Sequence, residues 1–152
     1  MTTPRTILVP IDLADHPREV LDYAAALADK LDARLHVRHA VTTPLIGAEL
    51  PAVVTDQAMS DIIADRRTEL EMLIAVHAGK ARIASAEVET GEPHAVIIES
   101  AERLHADLIL MGTHGRRGVS RLLLGSIAER VARTAPCPVL LVRAKPTAAP
   151  PG

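Results

Sequence analysis

The sequence predicts a doubly wound α/β domain on a five-stranded parallel sheet, and three observations predict it. Short continuous apolar runs recur along the chain, among them Ile7-Leu8-Val9, Leu108-Ile109-Leu110-Met111 and Val139-Leu140-Leu141-Val142. Strands buried on both faces of a parallel sheet have this character. Between the runs lie stretches whose apolar residues recur at helical spacing, as crossover helices require. Gly79, Gly91 and several prolines mark the junctions.

The elements follow in order. Thr6 to Ile11 is β-branched and apolar, a first buried strand that Asp12 ends. Asp15 or His16 followed by Pro17 marks a helix start, because proline suits the first helical turn. Val20, Leu21, Ala24, Ala25, Ala28 and Leu31 then give a helix over about 17–31. Arg34 to Ala40 alternates, with Leu35, Val37 and His39 on one face, and is the second strand. Residues 41–55 carry Pro44, Gly47 and Pro51 and are expected to form a long loop. Asp56 to Ala78 has one apolar stripe and predicts a long amphipathic helix ended by Gly79. Ala84 to Thr90 is a less apolar strand, nearer an edge. Gly91-Glu92-Pro93 opens a helix carrying Val96, Ile97, Ala101 and Leu104. Leu108 to Met111, a helix over Ile127 to Ala135, and the strand Val139 to Val142 complete the alternation. Right-handed crossovers then make the first and fourth strands neighbours and give the order 3-2-1-4-5, with a ligand crevice at the switch point. Residues 1–144 form one domain, and the Pro/Ala tail over 145–152 is expected to be disordered.

Composition narrows the function. The 152 residues carry a net charge of −2 and include one Tyr, no Trp and no Phe. Neither a basic face nor an aromatic stacking platform is present, which argues against nucleic acid as a partner. No apolar run reaches about 18 residues, so no membrane span is expected. Residues 1–5 lack an apolar leader and the single Cys137 excludes an internal disulfide, so a cytoplasmic location is expected. Cys137, between Pro136 and Pro138, is expected to be an inert thiol. The seven histidines fall at no zinc-like spacing and are expected to serve surface or capping roles.

The chemistry concentrates in one loop. Gly112-Thr113-His114-Gly115 follows a strand, and nine residues later Gly125-Ser126 opens a helix. Glycines let the backbone approach an anion, and the helix N-terminus points free N–H groups and a positive dipole end at it. A phosphate cradle is the leading reading; turn chemistry with a Ser126 helix cap is the plain alternative. Asp12 forms either a strand-end turn or a contact to a nucleotide sugar or to Mg²⁺. Arg116, Arg117 and Arg121 form a basic cluster, of which Arg116 is favoured for phosphate pairing. No Walker loop, Rossmann fingerprint, nucleophile elbow or receiver-type acid set occurs, and no base for hydrolysis is evident.

These residues resemble the universal stress protein family in its nucleotide-binding branch. That branch is marked by G-x-x-G, nine residues, then G and Ser or Thr, which Gly112, Gly115, Gly125 and Ser126 match. The opening Ile7 to Asp12 and the closing Ala135 to Val142 look like the family's first and last strands. The resemblance spans about 5–144 and implies an adenine nucleotide alpha hydrolase-like fold. It implies binding of ATP, or of ADP or AMP, with Mg²⁺ accompanying the nucleotide and Asp12 contacting either that ion or the sugar. Pro10, Ile11, Asp12 and Val41 would line the adenosine pocket, and Met111 and Gly112 would flank the ribose. Gly115, Arg116, Gly125, Ser126 and Ile127 would hold the phosphates. It further implies a regulatory stress-response module with slow hydrolysis at most, dimeric through Val139 to Val142. The alternatives are a Mg²⁺-dependent ATPase or phosphoryl- or nucleotidyl-transfer enzyme, and a nucleotide-free dimeric interaction protein.

Overall fold

The computed structural model describes residues 2–43, 55–79, 82–113 and 124–143. His114, Gly115, the three loop arginines, most of the 41–55 loop and the 145–152 tail lie outside them. The strands are β1 (Thr6–Pro10), β2 (Arg34–Val41), β3 (Ile83–Thr90), β4 (Leu108–Gly112) and β5 (Val139–Val142). The helices between them are α1 (Pro17–Leu31), α2 (Asp56–His77), α3 (Pro93–Arg103) and α4 (Ser126–Thr134). Every predicted element is present, with ends displaced by one residue at most.

Local chemistry sets the helix ends. Pro17 occupies the first turn of α1, and Asp32 at its end takes a left-handed conformation at φ 54°. Thr55 caps α2 by accepting the Ala58 N–H at 3.1 Å, and Glu92 caps α3 by accepting the Ala95 N–H at 3.1 Å. Just before that cap the chain turns at Gly91, where a Cβ would stand 2.9 Å from Val96 Cγ2. A glycine is what lets α3 begin so close to its strand.

The sheet is wholly parallel in the order β3-β2-β1-β4-β5, as the sequence predicts. Strand alternation sends neighbouring residues to opposite faces. Ile7, Val9, Leu35, Val37 and Leu110 join Leu21, Ala24 and Leu70 in one core layer, against α1 and α2. Leu8, Ile109 and Met111 join Ile97, Ala101, Ala128 and Val131 in the other, against α3 and α4. Both layers are aliphatic, each fully buried Leu or Ile stabilising the fold by about 1.5–3 kcal/mol. The one aromatic residue, Tyr23, is 49% exposed on α1. β3 and β5 are the two sheet edges. Among the described residues no helix is long and apolar enough to cross a membrane.

β1 is central. It pairs with β2 on one side, Pro10 opposite Arg38, and with β4 on the other, Leu8 opposite Ile109. The chain leaves β1 toward β2 and β3, then returns across the sheet to β4. The connections therefore diverge between β1 and β4 and leave a crevice beyond their carboxyl ends.

Candidate functional site

A cavity of about 600 Å³ occupies that crevice, a size within the range of small-molecule sites. Pro10, Ile11 and Asp12 line it from the end of β1, Met111 and Gly112 from the end of β4, and Gly125, Ser126 and Ile127 from the start of α4. Three separate stretches of the sequence-predicted site thus meet around one space. Gly115 and Arg116 lie outside the described residues. Val41 turns away: it packs against the α1/α2 core layer, and its carbonyl accepts the Gly91 N–H at 3.0 Å. Its neighbours Ala40 and Thr42 line the cavity in its stead.

The β4–α4 end is built mainly of backbone. Gly125 is the α4 N-cap, in ordinary extended conformation at φ −60° and ψ 151°, with no side-chain cap. Its N–H donates to Thr113 O at 2.7 Å, and its carbonyl accepts the Glu129 N–H at 2.9 Å. Ser126 is therefore the first helical residue rather than the cap. The N–H groups of Ser126, Ile127 and Ala128 have no acceptor within the helix, and these residues line the cavity. Gly112 leaves room beside it: among the described residues a Cβ there would meet only Val20 Cγ2, at an ordinary 3.5 Å.

Asp12 makes the strand-end turn weighed from the sequence. Its Oδ1 accepts the Ala14 N–H at 2.9 Å and its carbonyl accepts the Asp15 N–H at 3.2 Å, which makes an Asx turn. The same residue, with Asp15, lines the cavity. Among the described residues no group of three or more His, Cys, Asp or Glu is placed to hold a metal ion by itself. A cation at Asp12 would need ligand oxygens to complete its shell.

The β2 end is built of side chains that sequence reasoning missed. His39, expected at the surface, lines the cavity, and its Nδ1 lies 2.8 Å from Ile11 O. A carbonyl only accepts, so Nδ1 carries the proton and pins the Ile11 peptide. Arg38 is only 3% exposed and also lines the cavity. Its Nη1 donates to Val37 O and to Ser85 Oγ, both at 2.9 Å. Glu89 Oε1 lies 3.1 Å from Nε, and Glu87 Oε2 lies 3.5 Å from Nη2. Despite the first distance, Nε makes no hydrogen bond; its N–H is not directed at that oxygen. Arg103 Nη2 on α3 holds the same Glu89 oxygen at 2.7 Å.

The network extends to His36, whose Nδ1 lies 2.8 Å from Ser85 Oγ. Burial, then the Arg38 charge, pushes the His36 pKa below its ordinary value of 6.5. The sequence signal for this group was slight: Arg38 stands between His36 and His39 in a strand that is half polar. At the far edge of the sheet, burial and the nearby Asp107 charge push the Cys137 thiol upward, which keeps it protonated.

Comparison with known proteins gives a consistent family. The model of the universal stress protein family matches residues 3–143. The universal stress protein MJ0531 of Methanocaldococcus jannaschii is 35% identical over 91% of this chain and 82% of its own. A universal stress protein crystallised in complex with cAMP aligns at a TM-score of 0.67 and 24% identity, over 93% of this chain and 98% of that one. The universal stress protein of Archaeoglobus fulgidus in complex with dAMP aligns at a TM-score of 0.59 and 22% identity, over 92% and 98% of the two chains.

Proposed function

The chain belongs to the universal stress protein family, and from that premise we propose that its cavity binds an adenine nucleotide as a regulatory ligand. The carrying observation is the junction of β4 and α4. There an uncapped helix N-terminus and Gly112 face a cavity of about 600 Å³. Free N–H groups and the dipole favour phosphate. The apolar lining residues Pro10, Ile11, Val96 and Ile97 suit a base, and the solved relatives holding cAMP and dAMP support that choice.

ATP, ADP or AMP then lies with its base toward β2 and its phosphates toward α4. Gly115 and Arg116 are proposed to complete the phosphate cradle, and Val41 to contribute only through the chain it anchors. Mg²⁺ fits the donor set at Asp12 as a partner of phosphate oxygens, since it favours hard oxygen ligands, keeps several waters and is held by one or two carboxylates with substrate phosphates. When bound, it would neutralise phosphate charge beside Asp12 and Asp15.

Turnover is proposed to be slow. Asp12 is engaged in its turn and His39 in holding Ile11. Neither is a poised base for water. A second copy is proposed to pair along β5, a sheet edge with an apolar sequence.

Titration calorimetry with ATP, ADP and AMP tests the reading. Binding of at least one, with a hydrolysis rate well below the roughly 1–10³ s⁻¹ of ordinary enzymes, is expected. Silence toward all three nucleotides would overturn it.

A further inference from the structure

Ile11, one residue past β1, is clasped twice from β2. Its N–H donates to Arg38 O at 2.8 Å, and its carbonyl accepts the His39 Nδ1–H at 2.8 Å. A neutral imidazole carries one proton, so with Nδ1 as the donor the other ring nitrogen, Nε2, keeps a lone pair and accepts. Nε2 makes no hydrogen bond among the described residues. Nor is it sealed in, since the one enclosed side-chain nitrogen or oxygen without a partner there is Arg38 Nε. His39 is half-buried, stands opposite the buried Val88 of β3, and lines the cavity together with Ile11. Its two ring nitrogens point to different sides. With Nδ1 turned to the Ile11 peptide, Nε2 is an unpartnered acceptor open to a cavity ligand.

We propose that His39 is a specificity-determining residue of the nucleotide site, accepting at Nε2 an N–H of the exocyclic amine of the base. The inference rests on the adenine nucleotide reading above, which puts the base toward β2 and the phosphates away from this nitrogen. The amine is what sets adenine apart from hypoxanthine and guanine. It donates, where the oxo group of those purines presents an acceptor. A lone pair at Nε2 attracts the first and repels the second. The bond to Ile11 O also fixes the tautomer and the plane of the ring before a ligand arrives, which reduces the ordering cost of binding. The competing role is a pin alone, in which His39 serves Ile11 and Nε2 meets only water.

Titration calorimetry in mildly alkaline buffer, which keeps imidazole neutral, separates the two. The ligands are ATP, purine riboside triphosphate, which has hydrogen in place of the amine, inosine triphosphate and inorganic triphosphate. Wild type is expected to bind purine riboside triphosphate about five-fold more weakly than ATP, the scale of one neutral hydrogen bond. Inosine triphosphate, with its oxo group against Nε2, should bind more weakly again. His39→Asn keeps a side-chain N–H near the Nδ1 position and lacks Nε2. It is expected to hold Ile11, to lose about five-fold in ATP affinity and to bind ATP and purine riboside triphosphate alike, a coupling that a double-mutant cycle isolates. Inorganic triphosphate, having no base, should bind both proteins equally. If His39→Asn does not fold, His39→Phe replaces it, with the same loss of discrimination expected. Equal affinity of wild type for ATP and purine riboside triphosphate would overturn the inference, as would a folded variant that still tells them apart. A variant weakened equally toward ATP and inorganic triphosphate would also overturn it, assigning His39 to the fold. Wild-type protein that ignores ATP altogether would instead overturn the nucleotide reading itself.

Discussion

The two ends of the cavity are made of different material. At β4 and α4 the wall offers two glycines, Gly112 and Gly125, and the first N–H groups of a helix. At β2 it is side chain, with His39 pinning a peptide and Arg38 held among two glutamates and a serine. A backbone wall accepts any ligand with the right anion, because peptide groups are the same in every protein. A side-chain wall discriminates, because its donors are few and fixed. On the proposed nucleotide reading, the α4 end would supply affinity and the β2 end selection.

The largest expected effect breaks the backbone end. Gly125→Val suits the local φ and ψ, which any residue adopts, so the fold should survive. The added methyls enter the phosphate space and should lower ATP affinity by about 100-fold, or about 2.7 kcal/mol, in calorimetry. Unchanged binding would remove α4 from the site.

Next comes the stability of the other end. Arg38→Met leaves Glu87 and Glu89 without their shared cation. Breaking a buried pair costs about 3–5 kcal/mol. Here both carboxylates retain some water, at 54% and 23% exposure, so about 2 kcal/mol is expected in urea unfolding. Adding Glu89→Gln should recover part of it. A loss confined to one variant and untouched by the other would dissolve the network.

Smaller again is His39→Phe, which keeps the ring and removes the bond to Ile11 O. About 1 kcal/mol of stability should go. ATP affinity should fall too, if that peptide forms part of the cavity wall as its position indicates.

The smallest effect is a pH dependence. His36 has a folded-state pKa below its unfolded 6.5, because burial and Arg38 disfavour its charge. Its contribution is complete above pH 6.5 and is lost as pH falls through the lower folded value. Thermal melting from roughly pH 7 down to pH 5 should show a decline that His36→Gln flattens. A decline of equal slope in both would assign it to other groups.

The difference in material also explains what could be read from the chain. Strand order, helix placement and the β4–α4 junction were legible because apolar runs and glycine spacing are local signals. Arg38 carried no comparable signal. A charged residue in a strand ordinarily faces water, and only the pairing of β2 with β3, remote in sequence, shows that Glu87 and Glu89 await it. Val41 packs into the α1/α2 core layer although His39, on its own face, reaches the cavity. A strand's end is readable to within a residue or two, but that same uncertainty exchanges its two faces.

The aliphatic core has a practical corollary. Tyr23 is the only aromatic residue and lies half in water on α1. The protein is thus almost transparent in the near ultraviolet, with no tryptophan to report its folding by fluorescence. Any purine carried through purification would dominate the absorption of the sample. The occupancy of the cavity can be judged from an ultraviolet spectrum of the untreated protein, before a single ligand is added.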